Sequence, residues 1–176
     1  MIEKIRFYGD EVLRKKAKTI EIIDKNIKEK VNNLIETLES RDEFALAAPQ
    51  VGYSLRMFIM RNLWEEDPKK VKTMLFINPE LLEFDGMLHE PEGCLSFPGI
   101  FEKVKRAKSI KFKAQDINGK WKHYTAEDLF ARGVQHEYDH LEGILFIDKI
   151  NPLKRKLLHG KLKKIAETTK NGVNIG

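Results

Sequence analysis

An α+β fold is predicted by three observations. Short β-prone runs fill the middle of the 176-residue chain, and an Asn118-Gly119 turn folds the last of them back as a hairpin. Helices follow the strands as a pair instead of alternating with them. In the first of that pair His136 and His140 are four apart, so both imidazoles share one helix face, roughly 6 Å apart along the axis. The expected architecture is mainly antiparallel sheets packed around a central metal-binding helix, with a C-terminal helix beyond it.

Asp24 is a good N-cap for a helix whose apolar stripe is Ile27, Val31, Leu34, Ile35 and Leu38. Met57 to Met60 and Met74 to Ile77 are short β-prone runs. Ile110, Phe112 and Ala114 then alternate with Lys111, Lys113 and Gln115, and the Asn-Gly turn returns this strand through Trp121 to Thr125. Thr125 with Asp128 three residues on has the form of a capping box. It opens a helix that carries Leu129, Phe130, Val134 and the histidine pair, and ends at Gly143. Asn151-Pro152 starts the last helix, since proline suits the first helical position, and Leu153, Leu157, Leu158, Leu162 and Ile165 form its stripe.

The length predicts one domain, residues 1–176, large enough to bury a core. With 41% hydrophobic and 34% charged residues the composition is that of a soluble globular protein. Met1-Ile2-Glu3-Lys4-Ile5-Arg6 is too charged for a secretory signal, and no apolar run approaches the roughly 18 residues of a membrane span. A cytoplasmic protein with no membrane partner is expected. The single cysteine, Cys94, excludes an intramolecular disulfide and any multi-cysteine zinc site. Within the net charge of +5, Lys149, Lys154, Arg155, Lys156, Lys161, Lys163 and Lys164 form one stretch with no intervening acid. A polyanion is the natural partner of such a surface, and a solvated helix face is its ordinary alternative.

His136-Glu137-Tyr138-Asp139-His140 places a glutamate beside the first of two potential metal ligands. Glu137 points to a neighbouring helix face, from which it can reach a water at the ion without being a ligand; this is the arrangement of metal-assisted hydrolysis. With 5 His and 18 Glu, such a pattern arises by chance on the order of once in a hundred chains of this composition. A catalytic site needs a third protein ligand and one open position. Cys94 is the strongest candidate, in the bendable segment Glu92-Gly93-Cys94-Leu95-Ser96-Phe97-Pro98-Gly99, although a lone cysteine is more often a small buried apolar residue. Gln50, in the small-residue turn Ala45-Leu46-Ala47-Ala48-Pro49-Gln50-Val51-Gly52, offers an amide of the kind that stabilises an oxyanion, and equally one that bonds its own turn.

Taken together, Leu46 to Gly52, Glu92 to Gly99 and Gln135 to Gly143 resemble, in order, the three signature motifs of the peptide deformylase family. The resemblance covers nearly the whole chain. It implies removal of the formyl group from the N-terminal formyl-methionine of nascent polypeptides, with release of formate. Cys94, His136 and His140 would then hold the metal, and Glu137 would serve as the proton carrier. Gln50 and the backbone N–H of Leu95 would hold the tetrahedral oxyanion with the metal's help. The family usually uses Fe2+, one per chain, with Zn2+, Ni2+ or Co2+ as the ions a purified sample can carry instead. The peptide binds as an added strand, and its methionine enters a pocket here aligned with Phe44, Leu129 and Gly133, beside Ala45. Glu92 and Arg106 match a supporting ion pair. The resemblance also implies a ribosome partner docked through the basic C-terminal helix, and no DNA.

One departure stands out. The first motif normally begins Gly-hydrophobic-Gly, whereas this chain has Glu43-Phe44-Ala45. If either position needs positive φ, Glu43 or Ala45 is strained. Two rival readings are a zincin-type peptidase with Glu167 as third ligand, and a ribosome- or RNA-binding protein with a structural or vacant metal site. The pairing of Glu137 with Gln50 argues against the second, because a structural site needs neither a base nor an oxyanion donor.

Overall fold

Met57, Phe58, Ile59 and Met60 are all fully buried, and an unbroken apolar strand of this kind demands cover on both faces of its sheet. The computed structural model supplies it. Residues 1–41, 43–62 and 72–171 are described, and the rest of the expected 1–176 domain lies outside the described residues. A five-stranded antiparallel sheet contains β1 (Ala45–Ala47), β2 (Met57–Arg61), β3 (Thr73–Asp85), β6 (Ser109–Gln115) and β7 (Trp121–Glu127), in the order β1-β2-β3-β6-β7. Helix α1 (Lys25–Glu39) covers one face, where Ile27, Val31, Leu34 and Leu38 meet Met57, Ile59 and Ile77. Helix α2 (Asp128–Leu141) covers the other, where Phe130, Ala131 and Val134 meet Phe58, Met60, Phe76 and Phe112. Alternation along β2 thus feeds two cores at once.

A separate ribbon pairs β4 (Leu88–Glu92) with β5 (Glu102–Arg106). Helices α3 (Pro152–Leu157) and α4 (His159–Lys170) follow, and Leu162 and Ile165 of α4 join a third cluster with Phe97, Phe146 and Ile147. The metal-helix-on-sheet α+β architecture therefore stands. Asp24 caps α1 as expected, accepting from Ile27 N at 2.8 Å. The β6–β7 hairpin closes through Asp116 to Lys120, with Gly119 at φ 77°.

Three expectations are corrected. Thr125 does not cap α2, because β7 continues to Glu127 in register with Ser109, which commits Thr125 to the ladder opposite Lys111. The helix instead begins at Asp128, whose N–H donates to Lys108 O at 2.8 Å. The last helix is two segments, with Leu158 between them. The change of segment takes Leu153 and Leu157 off the core face, and they are 67% and 78% exposed. The third concerns φ: among the described non-glycine residues only Asn78 and Asp128 have positive values, so neither Glu43 nor Ala45 is strained.

Asp148 ties the end of the metal-helix region to the N-terminal segment, accepting from Arg14 Nη1 at 2.5 Å and from Leu145 N at 3.0 Å. Burial pushes its carboxyl up, but the Arg14 and Leu145 hydrogen bonds outweigh burial and hold it below the ordinary value. A depressed folded-state pKa contributes stability that is complete above the unfolded value, about 3.9, and lost as pH falls through the folded one. Asp148→Asn should therefore lower stability at neutral pH and flatten the acid limb of the urea-midpoint profile below about pH 4. An unchanged acid limb would show that Asp148 carries no linkage.

Candidate active site

The loop after β4 brings a cysteine to two histidines of α2. Cys94 follows β4, and its Sγ lies 3.4 Å from His140 Nε2 on α2. The ligand atoms of Cys94, His136 and His140 all lie within 4.8 Å of one another, and they are the metal-holding cluster found among the described residues. Bonds of 2.0 to 2.3 Å in a tetrahedron place neighbouring ligand atoms about 3.4 to 3.7 Å apart, so the set fits one divalent ion. His140 Nδ1 is buried without a hydrogen-bond partner. Burial, with the charges of His136 and Arg106, lowers His140 well below its ordinary range, which keeps it neutral with a lone pair to offer.

His136 is oriented by a carboxylate. Its Nδ1 lies 3.0 Å from Glu92 Oε2, which leaves Nε2 as the nitrogen for an ion. Burial opposes a proton on His136, but Cys94 and Glu92 outweigh it and raise the imidazole well above its ordinary value; a cation entering the cluster displaces that proton. Glu92 in turn receives Arg106 Nε at 2.8 Å and Nη2 at 3.0 Å, while Arg106 Nη1 reaches Asp139 Oδ2 at 2.5 Å. Burial pushes Glu92 up, yet the bonds from His136 and Arg106 prevail and lower it to about 2. Glu92 and Arg106 are 7% and 4% exposed, so theirs is not a solvated surface pair.

Glu137 is 4% exposed, and its Oε2 has no hydrogen-bond partner. Burial raises its carboxyl to about 7 against the opposing charges of His136 and Arg106, with Glu92 and Glu43 adding to the rise. Gln50 is 2% exposed. Its Oε1 accepts from Ala47 N at 2.8 Å, which turns Nε2 toward Cys94 Sγ at 3.4 Å. These groups line a cavity of about 220 Å³, together with Phe44, Ala45, Leu95 and Gly133, and with Leu129 at its exposed mouth. All ten predicted site residues thus come together. A Cβ on Gly93, in the same wall, would meet the ring of the exposed Phe101, with Cδ1 at 2.7 Å, so a side chain there requires that ring to move. Glu167 does not join the cluster. It is exposed on α4 near Lys163, 3.9 Å away, which removes the zincin ligand set.

A sequence model described as polypeptide deformylase matches residues 2–156. The chain belongs to that family. It is 46% identical over 168 residues to a peptide deformylase of Thermotoga maritima, covering 95% of this chain and 98% of that one. A peptide deformylase of Dictyoglomus turgidum is 50% identical over 149 residues, covering 85% and 93%. The crystal structure of a peptide deformylase from Legionella pneumophila superimposes with a TM-score of 0.85 at 36% identity, covering 97% of this chain and 98% of that one. Family and triad together make the protein a metal-dependent hydrolase that deformylates formyl-methionine nascent chains.

Sequence reasoning missed Asp139 as the second acceptor of Arg106, and it missed that Glu92 holds a ligand as well as an arginine. The available signal was an acid lying between the two histidines, on a helix face of its own. Glu92→Gln should weaken divalent-metal affinity by about 10- to 100-fold, the usual cost of losing a carboxylate that orients a ligating histidine. Competition against a chelator measures it, and unchanged affinity would show that the ring is held by packing alone.

Proposed function

We propose that Cys94, His136 and His140 hold one Fe2+ per chain, with Zn2+, Ni2+ or Co2+ able to replace it, and that Glu137, Gln50 and Leu95 carry the chemistry. The observation that supports this reading best is a buried, unpaired carboxyl beside a thiolate–imidazole triad, in the wall of a cavity on an open sheet edge. When bound, the ion acts as a Lewis acid toward the attacking water and the formyl oxygen. Glu137 takes the proton from the water as it attacks the formyl carbon, and then delivers a proton to the leaving amine. An acid held near neutrality suits both steps. Gln50 Nε2, aimed by the Ala47 bond, and the Leu95 N–H hold the oxygen on which negative charge develops.

The substrate backbone has an evident place. Arg61 N donates to Phe44 O, which makes Ala45 and Met60 a non-hydrogen-bonded pair and turns the Ala45 N–H and C=O away from β2. β1 is the edge of the sheet, so these groups are free to pair with an added strand whose first side chain enters the space beside Phe44, Leu129 and Gly133. Backbone pairing explains tolerance of sequence beyond the methionine.

No described helix is long and apolar enough to cross a membrane. We place the enzyme in the cytoplasm, as a single domain that docks on the ribosome through its basic C-terminal helical segment, α3 and α4. Lys149, Lys154, Arg155 and Lys163 are paired within the chain, to Asp139, Glu102, Asp148 and Glu167, whereas Lys156, Lys161 and Lys164 have no ion pair among the described residues. With Lys170 at the end of α4, also unpaired among the described residues, those three are the cations the two helices have left to offer.

Formate release from a formyl-Met peptide under anaerobic conditions, with metal analysis of the same sample, tests the whole reading; absence of turnover in iron-loaded protein would sink it. Glu137→Ala should abolish turnover and retain the metal, whereas His136→Ala should lose it. Equal metal loss in both would make Glu137 a ligand. Gln50→Ala should lower kcat by roughly a hundredfold or more. An effect confined to KM would make Gln50 a substrate-positioning residue instead.

A further inference from the structure

At Gly133 of the metal helix the methionine pocket meets two side chains, Phe44 just before β1 and Met60 of β2. A Cβ built on it would lie 2.6 Å from Phe44 Cε1 and 2.6 Å from Met60 Cε. Phe44 and Gly133 line the cavity. Met60 is fully buried behind that wall, opposite Ala45 in the β1–β2 ladder, and its methyl group fills the space that a side chain at position 133 would take. The Phe44 ring also meets Phe130, one turn before Gly133 on the same helix, edge-on at 6.1 Å between centroids. A large residue at 44 and none at 133 are therefore two halves of one packing arrangement, with Met60 as its backing.

We infer that Met60, acting through Phe44 and Gly133, sets the length of the side chain that the pocket accepts. This rests on the reading that the cavity takes the side chain of the formylated residue. Cores are packed too densely for the wall to move freely, so atoms added or removed behind it change the room in front of it. Met60 touches no substrate and is a positioning residue. An unbranched thioether of methionine's length is accommodated, and one further methylene should be resisted about tenfold or more in kcat/KM.

The test uses the iron-loaded full chain and three formyl peptides, beginning with norvaline, methionine or ethionine, assayed for formate release. Met60→Val keeps a strand-favouring side chain but withdraws the methyl group from the wall, and should raise kcat/KM for the ethionine peptide relative to methionine by at least threefold. Gly133→Ala pushes Phe44 toward the cavity, and should shift preference toward norvaline by a similar factor. In the double variant the new methyl occupies the vacated space, and both ratios should return toward those of the unsubstituted enzyme. A purely structural role for Met60 would lower all three rates together and leave the ratios alone. Unchanged ratios in Gly133→Ala and Met60→Val, with formate still released, overturn the inference and leave the function standing. Release from none of the peptides by the unsubstituted enzyme overturns the function, and the inference with it.

Discussion

Glu92 is the group through which the cysteine loop, the β4–β5 ribbon and the histidine helix are held together. It sits at the end of β4, two residues before Cys94. It accepts two bonds from Arg106 at the end of β5 and reaches His136 on α2. Burying a guanidinium with carboxylates is favourable only when nearly every donor and acceptor is matched, because desolvation of each ion costs several kcal/mol. Arg106 meets that condition by giving its remaining nitrogen to Asp139, on the same helix as the histidines. Three elements, β4, β5 and α2, are thereby fixed to one another by charge-assisted bonds whose strength depends on close, well-aligned geometry. The metal ligands inherit that rigidity, since Cys94 and His136 are neighbours of the same carboxylate.

A second constraint comes from the sheet edge. An exposed edge strand is usually a liability, and β1 is short, only Ala45–Ala47. Its outward groups are divided between two uses. The Ala47 N–H is spent on Gln50 Oε1, fixing the amide that faces Cys94 Sγ, while those of Ala45 stay available at the cavity. One strand of three residues therefore orients the proposed oxyanion donor and presents the backbone groups on which the proposed peptide pairing rests.

Residue type and spacing made the chemistry legible: an i, i+4 histidine pair, a glutamate next to it, a lone cysteine in a bendable loop. Periodicity made α1, the Met57–Met60 strand and the β6–β7 hairpin legible for the same reason, since each buries a regular face. What failed was whatever depends on a distant partner. β4 and β5 read Leu-His-Glu-Pro-Glu and Glu-Lys-Val-Lys-Arg, without an apolar face, and exist because they pair with each other and bury Glu92, Val104 and Arg106. Thr125 has the right neighbour for a cap, but the ladder claims it first. Leu153 and Leu157 match a stripe whose helix changes segment before it reaches the core.

The altered first motif shows how far a motif can be read in isolation. Glycine at two positions suggests a backbone that other residues cannot follow, so Glu43 and Ala45 look like a threat to the groove. The described chain avoids positive φ at both, and Arg61 pins the segment by donating to Glu43 O at 2.7 Å and Arg41 O at 2.9 Å. A Cβ on a strand residue costs nothing when it points along the pleat and away from the ladder, and Ala45 keeps its backbone groups at the cavity. The tight constraint on this wall lies elsewhere. With a phenylalanine between them, the pocket wall also depends on Gly133, 89 residues later, where the ring and Met60 need the space of a missing side chain. Volume in a pocket wall is shared among elements, and a substitution in one motif is tolerated or not according to a residue in another.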